Sequence, residues 1–143
     1  MNGSAAAMAL QDTPAPQRRR KILLVDDSAT THMWIKMVLN KSAYDMVSAR
    51  DGVEGVATAL AEKPDLVLMD VVMPRMDGFT AVREIRAHAS MRNVPIIMVT
   101  TRAEAKNVEE GFASGCSDYI TKPIDGLELL TKIRNTLEGE PQR

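Results

Sequence analysis

The chain has 143 residues, a formal net charge of −1, 45% apolar residues and only 3% aromatic ones. That length supports one domain with a sizeable core, and the near-neutral charge excludes a general attraction to nucleic acid or to an anionic membrane surface. A single cysteine, Cys116, excludes an internal disulfide, and no apolar run approaches the ~18 residues of a membrane span, so the chain reads as a cytoplasmic protein.

Residues 1–19 are rich in Ala, Gln and Pro and sustain no helical or strand period; they read as a mobile leader. The cluster Arg18-Arg19-Arg20-Lys21 is followed by only four apolar residues before two acids, too few for the core of an export signal. It reads as a solvated flank beside an apolar strand.

Ile22 to Val25 is a short buried strand that ends in Asp26-Asp27. Ser28 is placed to cap the helix that follows. In that helix Trp34, Ile35, Val38 and Leu39 fall on one face, which predicts that Trp34 packs inward and leaves Met33 and Met37 outward. Tyr44 to Ala49 is a second strand, and Asp51-Gly52 the turn after it. Val53, Val56, Ala57 and Leu60 give the stripe of a second helix, stopped by Pro64.

Leu66-Val67-Leu68-Met69 is a third buried strand that delivers Asp70 to its end. A loop with Pro74 and Gly78 leads to a helix carrying Phe79, Val82 and Ile85. Ile96 to Val99 is the fourth strand, ending at Thr100-Thr101. The next helix presents Ala105, Val108 and Phe112 and stops near Gly115. Tyr119-Ile120-Thr121 is the fifth strand, ending at Lys122-Pro123, and a last helix shows Leu127, Leu130, Ile133 and Leu137.

Strands alternating with helices in this way predict an α/β fold, a doubly wound five-stranded parallel sheet with helices on both faces. In such a sheet all strands end at one edge, where ligands bind. Asp26, Asp27, Asp70, Thr100, Thr101 and Lys122 therefore converge there from four strands. Three carboxylates crowded together repel one another. A hard divalent cation relieves this; oxygen donors and the lack of a His/Cys cluster point to Mg²⁺, or Mn²⁺ in its place, rather than zinc. Lys122 and the Thr100 hydroxyl complete an oxyanion site, with Asp70 as the nucleophile that accepts a phosphoryl group.

These motifs (Ile-Leu-Leu-Val-Asp26-Asp27-Ser28, Leu-Met-Asp70-Val-Val-Met73-Pro74-Arg-Met-Asp-Gly78, Val99-Thr100-Thr101 and Asp118-Tyr119-Ile120-Thr121-Lys122-Pro123) resemble, in order and spacing, the receiver domain of bacterial response regulators. The resemblance covers residues 20–138, leaves 139–143 as a tail, and is nearest to the stand-alone, chemotaxis-type regulators. It implies a flavodoxin-like fold with strand order 2-1-3-4-5. It implies a histidine kinase or phosphotransfer protein as phosphodonor, with Asp27, Asp70 and the backbone carbonyl of Val72 on the metal and Asp26 acting through water. It also implies Thr100 and Tyr119 as switch residues and a target-binding surface made by the fourth helix, fifth strand and fifth helix. The expected molecule is a monomeric phosphoacceptor rather than a turnover enzyme; a phosphorylation-independent scaffold, a phosphorelay intermediate or a phosphate sink are the alternatives. A haloacid-dehalogenase-type phosphohydrolase needs a second Asp two residues after the nucleophile, where this chain has Val72.

Three positions depart from the common pattern and are expected to tune phosphoryl lifetime: Val72, Thr101 and Arg102. Val72 cannot orient a hydrolytic water, Thr101 is bulkier than the usual small residue, and Arg102 is expected to shield the phosphoryl oxygens. Ile124 replaces a frequent Phe, with a packing effect only. Ser42-Ala43 lack a helix-ending Gly. His32 and His88 are expected on helices and exposed, and Cys116 is expected to have no redox role.

Overall fold

The computed structural model describes residues 19–101 and 105–138. The predicted leader (apart from Arg19), the tail and Arg102 lie outside the described residues. Among the described residues five strands and five helices alternate: β1 Arg20–Val25, α1 Ala29–Asn40, β2 Tyr44–Ala49, α2 Gly52–Glu62, β3 Leu66–Asp70, α3 Gly78–Arg86, β4 Ile96–Thr100, α4 Ala105–Ser114, β5 Asp118–Thr121 and α5 Gly126–Glu138, with a 3-10 turn at Ala89–Met91.

The sheet is wholly parallel, with strand order β2-β1-β3-β4-β5. The chain runs outward from β1 to β2, then crosses back to β3, so the winding reverses between β1 and β3. That reversal opens a crevice at the carboxyl edge, and it is where Asp26 and Asp70 emerge.

Both faces of the central strands are buried, which is why β1, β3 and β4 read as continuous apolar runs rather than alternations. Leu23, Val25, Val67, Met69 and Met98 pack on one face with Ala59, Phe79, Val82 and Ile85 from α2 and α3. Ile22, Leu24, Leu66, Leu68, Ile97 and Val99 pack on the other with Ile35, Val38 and Leu39 of α1 and Leu129 and Ile133 of α5. Ile124 joins this second core, as expected of a packing substitution.

The helices start where side-chain caps are available. Ser28, Asp51 and Asp77 each accept the backbone N–H three residues on, at the starts of α1, α2 and α3. α2 ends in Lys63 in the left-handed region, just before Pro64. Without a glycine at its end, α1 closes differently: the Ser42 hydroxyl and amide both donate to the Leu39 carbonyl. Of the basic flank, Arg19 pairs with Asp45 and Lys21 with Glu62 on the surface.

Five apolar residues expected inside are outside. Trp34 is 42% exposed and Leu127 75% exposed, and Val53, Ala57 and Phe112 are exposed as well. In α2 the inward face is Gly52, Gly55 and Ala59. A Cβ at Gly55 would stand 2.7 Å from Val25 Cγ1, so the helix lies too close to β1 for a larger residue. In α1 the inward residues are His32, Ile35, Val38 and Leu39. Trp34 instead lies across the rim, its indole N–H donating to the Ile124 carbonyl at 2.9 Å. Met33 and Met37 are exposed, as expected.

Candidate functional site

The carboxyl edge carries a cleft of about 330 Å³ lined by Asp27, Asp70, Val71, Val72, Thr100, Thr101 and Lys122. Each lining residue ends a strand or follows one. Asp70 is the last residue of β3 and Thr100 the last of β4. Thr100 sits beside Thr121 in register, and its carbonyl accepts the Lys122 amide at 2.7 Å, which fixes where the lysine leaves the sheet.

The loop after Asp70 is shaped by a close approach. The Gly78 amide donates to the Val71 carbonyl at 2.8 Å, and a Cβ at Gly78 would overlap the Asp70 carbonyl oxygen. Only glycine lets α3 begin so near the end of β3. Farther along the loop, Arg75 adopts a positive φ and pairs with Asp51 at 3.0 Å, tying this loop to the start of α2.

Asp26, Asp27 and Asp70 each offer a carboxylate oxygen within 4.8 Å of the others. Asp26 is fully buried and held on every side. Its amide donates to the Ala49 carbonyl at 3.1 Å, and its Oδ1 accepts the Ser28 amide at 2.8 Å. Its Oδ2 lies 2.9 Å from Lys122 Nζ, but no donor among the described residues is aligned for a hydrogen bond to it. A buried carboxylate oxygen held by charge alone, beside two further carboxylates, is a donor set that a hard cation satisfies.

Asp70 is buried as well, with Lys122 Nζ at 3.8 Å from its Oδ2. Its carboxyl pKa is pushed up from 3.8 to about 6, first by burial and then by the negative charge of Asp26; Lys122 opposes the shift and Asp27 adds to it. Three carboxylates thus crowd around Lys122.

The sequence-predicted residues therefore meet. Asp26, Asp27, Asp70 and Lys122 converge; Thr100 is buried at the cleft wall; Val72 and Thr101 are exposed at its mouth. Tyr119 does not line the cleft. It leans on α4, where its hydroxyl donates to the Asn107 carbonyl, its ring stacks obliquely on Phe112 with centroids 5.8 Å apart, and Gly111 leaves room for it. Arg102 lies outside the described residues.

Two expectations about histidine need correction. His88 is exposed, but it sits in the turn after α3 rather than on a helix. His32 is buried, with Nε2 2.7 Å from the Asp26 carbonyl and Nδ1 3.2 Å from the Ser48 hydroxyl. The signal was present: His32 precedes Ile35 by three residues and Leu39 by seven, the spacing of one buried face. Cys116 is buried and its thiol is pushed up to about 11 by that burial, the environment of an inert thiol.

A doubly wound parallel sheet with an acidic cleft, a strand-end Asp and a facing lysine at its carboxyl edge defines the flavodoxin-like class of α/β module. A model of the response regulator receiver domain matches residues 22–134. The chain belongs to the response regulator receiver domain family, which operates in two-component signalling. It is similar to protein PilH of Pseudomonas aeruginosa, with 41% identity over 119 residues, covering 83% of this chain and 98% of that protein. It is 34% identical over 117 residues to the DNA-binding dual master transcriptional regulator RpaA of Synechocystis, but spans only 48% of that longer protein. Among solved structures it is similar to the Vibrio cholerae chemotaxis protein CheY4, with 32% identity, TM-score 0.79, and 82% and 98% of the two chains covered. The receiver domain of the sensor histidine kinase PA1611 from Pseudomonas aeruginosa, solved with magnesium coordinated in its active-site cleft, is 33% identical with TM-score 0.79, covering 85% and 99%. No helix among the described residues is long and apolar enough to cross a membrane.

Proposed function

We propose that this receiver is a phosphorylation switch in which Asp70 accepts a phosphoryl group from a phosphohistidine of a histidine kinase or phosphotransfer protein. The observation that carries it is the placing of Asp70: a strand-end carboxylate, buried beside Lys122 at 3.8 Å and within 4.8 Å of two more carboxylates. An Asp70 oxygen attacks phosphorus, the P–N bond breaks, and its electron pair returns to the donor imidazole. Lys122 pairs with the phosphoryl oxygens, and the Thr100 hydroxyl donates to them. Asp27, Asp70 and the Val72 carbonyl would hold Mg²⁺ directly, with Asp26 through water. The ion supplies charge neutralisation for the carboxylate and the phosphoryl oxygens.

The chain is thus an acceptor that assists its own phosphorylation and slow dephosphorylation, not a turnover enzyme. Gain of the phosphoryl contacts shifts a two-state equilibrium: Thr100 moves toward the new group, Tyr119 leaves Asn107 for the space vacated, and the surface of α4, β5 and α5 binds a target. The protein acts in the cytoplasm as a monomer, in chemotaxis or motility signalling. The likeness to the chemotaxis protein CheY4 supports this process.

The test is intact mass after incubation with Mg²⁺ and acetyl phosphate or a phosphorylated histidine phosphotransfer domain. One phosphoryl group is expected, labile to hydroxylamine and lost in Asp70→Ala. Uptake that survives Asp70→Ala overturns the assignment. Full cellular function of Asp70→Ala would instead support a docking role independent of phosphate.

A further inference from the structure

The imidazole of His32 is a buried polar group on α1, and none of the roles above uses it. It reaches back six residues to the main chain of Asp26. A carbonyl oxygen only accepts, so the contact of 2.7 Å requires the hydrogen on Nε2. In the neutral ring Nδ1 then accepts from the Ser48 hydroxyl at 3.2 Å. The ring is thereby held between the first turns of α1, the β1–α1 loop and the end of β2.

The peptide it grips is the one that joins the two acids. The Asp26 carbonyl and the Asp27 amide belong to a single planar unit. Fixing that plane fixes both the exit of the Asp26 side chain and the entry of Asp27. The other contacts of Asp26 point elsewhere: the amide to Ala49, Oδ1 to Ser28, Oδ2 toward Lys122. His32 is the donor to the carbonyl between the paired acids. Apolar packing by Ile35 and Leu39 would bury this face of α1 equally well without a ring nitrogen aimed at a carbonyl.

We propose that His32 is a positioning residue that sets the Asp26–Asp27 peptide so that both carboxylates converge with that of Asp70, and so controls how tightly the site takes a hard divalent cation. This rests on the phosphoacceptor reading for its consequence in signalling, but not for its test, which needs only the metal. Partners that orient a ligating group without touching the ion are commonly worth ~10-fold or more in metal affinity.

Mg²⁺ alone is titrated into the chelator-treated full chain, with Trp34 fluorescence as the signal where it responds and NMR shifts of the Asp27 and Asp70 amides otherwise. His32→Phe keeps an aromatic ring and removes the donor; its Mg²⁺ dissociation constant is expected to rise about tenfold. His32→Gln places a side-chain N–H near the position of Nε2 and is expected to return affinity to within about threefold of the parent. Thermal midpoints in chelator separate this from loss of packing, since a purely structural role makes affinity follow stability in both variants. Ser48→Ala, at an exposed position, frees Nδ1 without touching the core and serves if His32→Phe does not fold; it is expected to weaken Mg²⁺ binding measurably. A second readout is independent of metal: ring ¹⁵N shifts must show a hydrogen on Nε2. The proposal is overturned if the folded His32→Phe chain, or Ser48→Ala in its place, binds Mg²⁺ within twofold of the parent. Equal weakening by Gln and Phe, or a hydrogen on Nδ1 alone, overturns it too. Failure of phosphoryl uptake by the parent, with these metal results intact, would overturn the phosphoacceptor reading and leave His32 in place.

Discussion

Lys122 stands nearer to Asp26 than to Asp70: its Nζ lies 2.9 Å from Asp26 Oδ2 and 3.8 Å from Asp70 Oδ2. The lysine thus neutralises the fully buried acid first, and Asp70 receives what is left of its field. Removing one partner of a buried pair strands the other charge, at a cost of about 3 kcal/mol. Lys122→Met is expected to lose about that much stability in chelator. Mg²⁺ is expected to restore part of it, because the ion then shares the charge of Asp26. Urea unfolding with and without Mg²⁺ measures both quantities, and equal destabilisation in the two buffers contradicts the account.

Asp70 gives a pH prediction with a definite sign. Its folded-state pKa is raised from 3.8 to about 6, chiefly by burial. The folded protein therefore binds a proton there that the unfolded chain has already released. The associated stability is fully present below pH 4, and is lost as pH rises through 6. That gap corresponds to about 3 kcal/mol at neutral pH. Asp70→Asn, which is never charged, is expected to be more stable than the parent in chelator at pH 7 to 8, by up to about that amount. The advantage should vanish near pH 4, as followed by the thermal midpoint across pH. A constant advantage at all pH values would assign the effect to something other than ionisation.

Both predictions rest on groups that the sequence places well. β1, β3 and β4 each carry a short apolar run with an abrupt polar end, so Asp26, Asp27, Asp70 and Thr100 could be read directly, and Lys122-Pro123 marks the end of β5. Helix faces were less legible. Trp34 and Leu127 count as apolar in any periodicity, yet each stands one or two places off the line of residues that touches the sheet. In α2 the true inward line is glycine and alanine, because the sheet lies close, and small residues carry little hydrophobic signal. His32 is buried although a histidine considered alone looks like surface. Its partners, the Asp26 carbonyl and Ser48, are set by the way α1 docks on β1 and β2, a tertiary relation that no local pattern records. The closeness of Lys122 to Asp26 is of the same kind.

Gly111 offers a test of the coupling between Tyr119 and the cleft. A Cβ there would stand 2.7 Å from the Tyr119 hydroxyl oxygen and 3.1 Å from its ring edge. The alanine gains about 1 kcal/mol of helix propensity, so α4 survives, and it is the ring that must leave Asn107 and Phe112. Gly111→Ala is expected to change the near-ultraviolet signal of Tyr119 and to raise the rate of phosphorylation by acetyl phosphate severalfold, since part of the switch is completed in advance. A displaced ring with an unchanged rate would separate Tyr119 from the acceptor site.

The last prediction concerns how long a phosphoryl group stays on Asp70. Val72 is 77% exposed and lines the mouth of the cleft with Thr101. Its isopropyl group offers no donor or acceptor, so a water approaching the phosphorus from this side gains nothing from it. Asparagine at the same exposed position has little packing to disturb, and it supplies both kinds of polar group. One hydrogen bond of about 1 kcal/mol made only in the transition state is about fivefold in rate. Val72→Asn is therefore expected to shorten the phosphoaspartate lifetime about fivefold, while the thermal midpoint and Mg²⁺ affinity stay near the parent values. Decay of the phosphorylated protein after removal of the phosphodonor, followed by intact mass, gives the lifetime directly. If Val72→Asn decays at the parent rate, the slow step lies elsewhere around the cleft, and Thr101→Ala, which widens the same mouth, becomes the variant expected to change it.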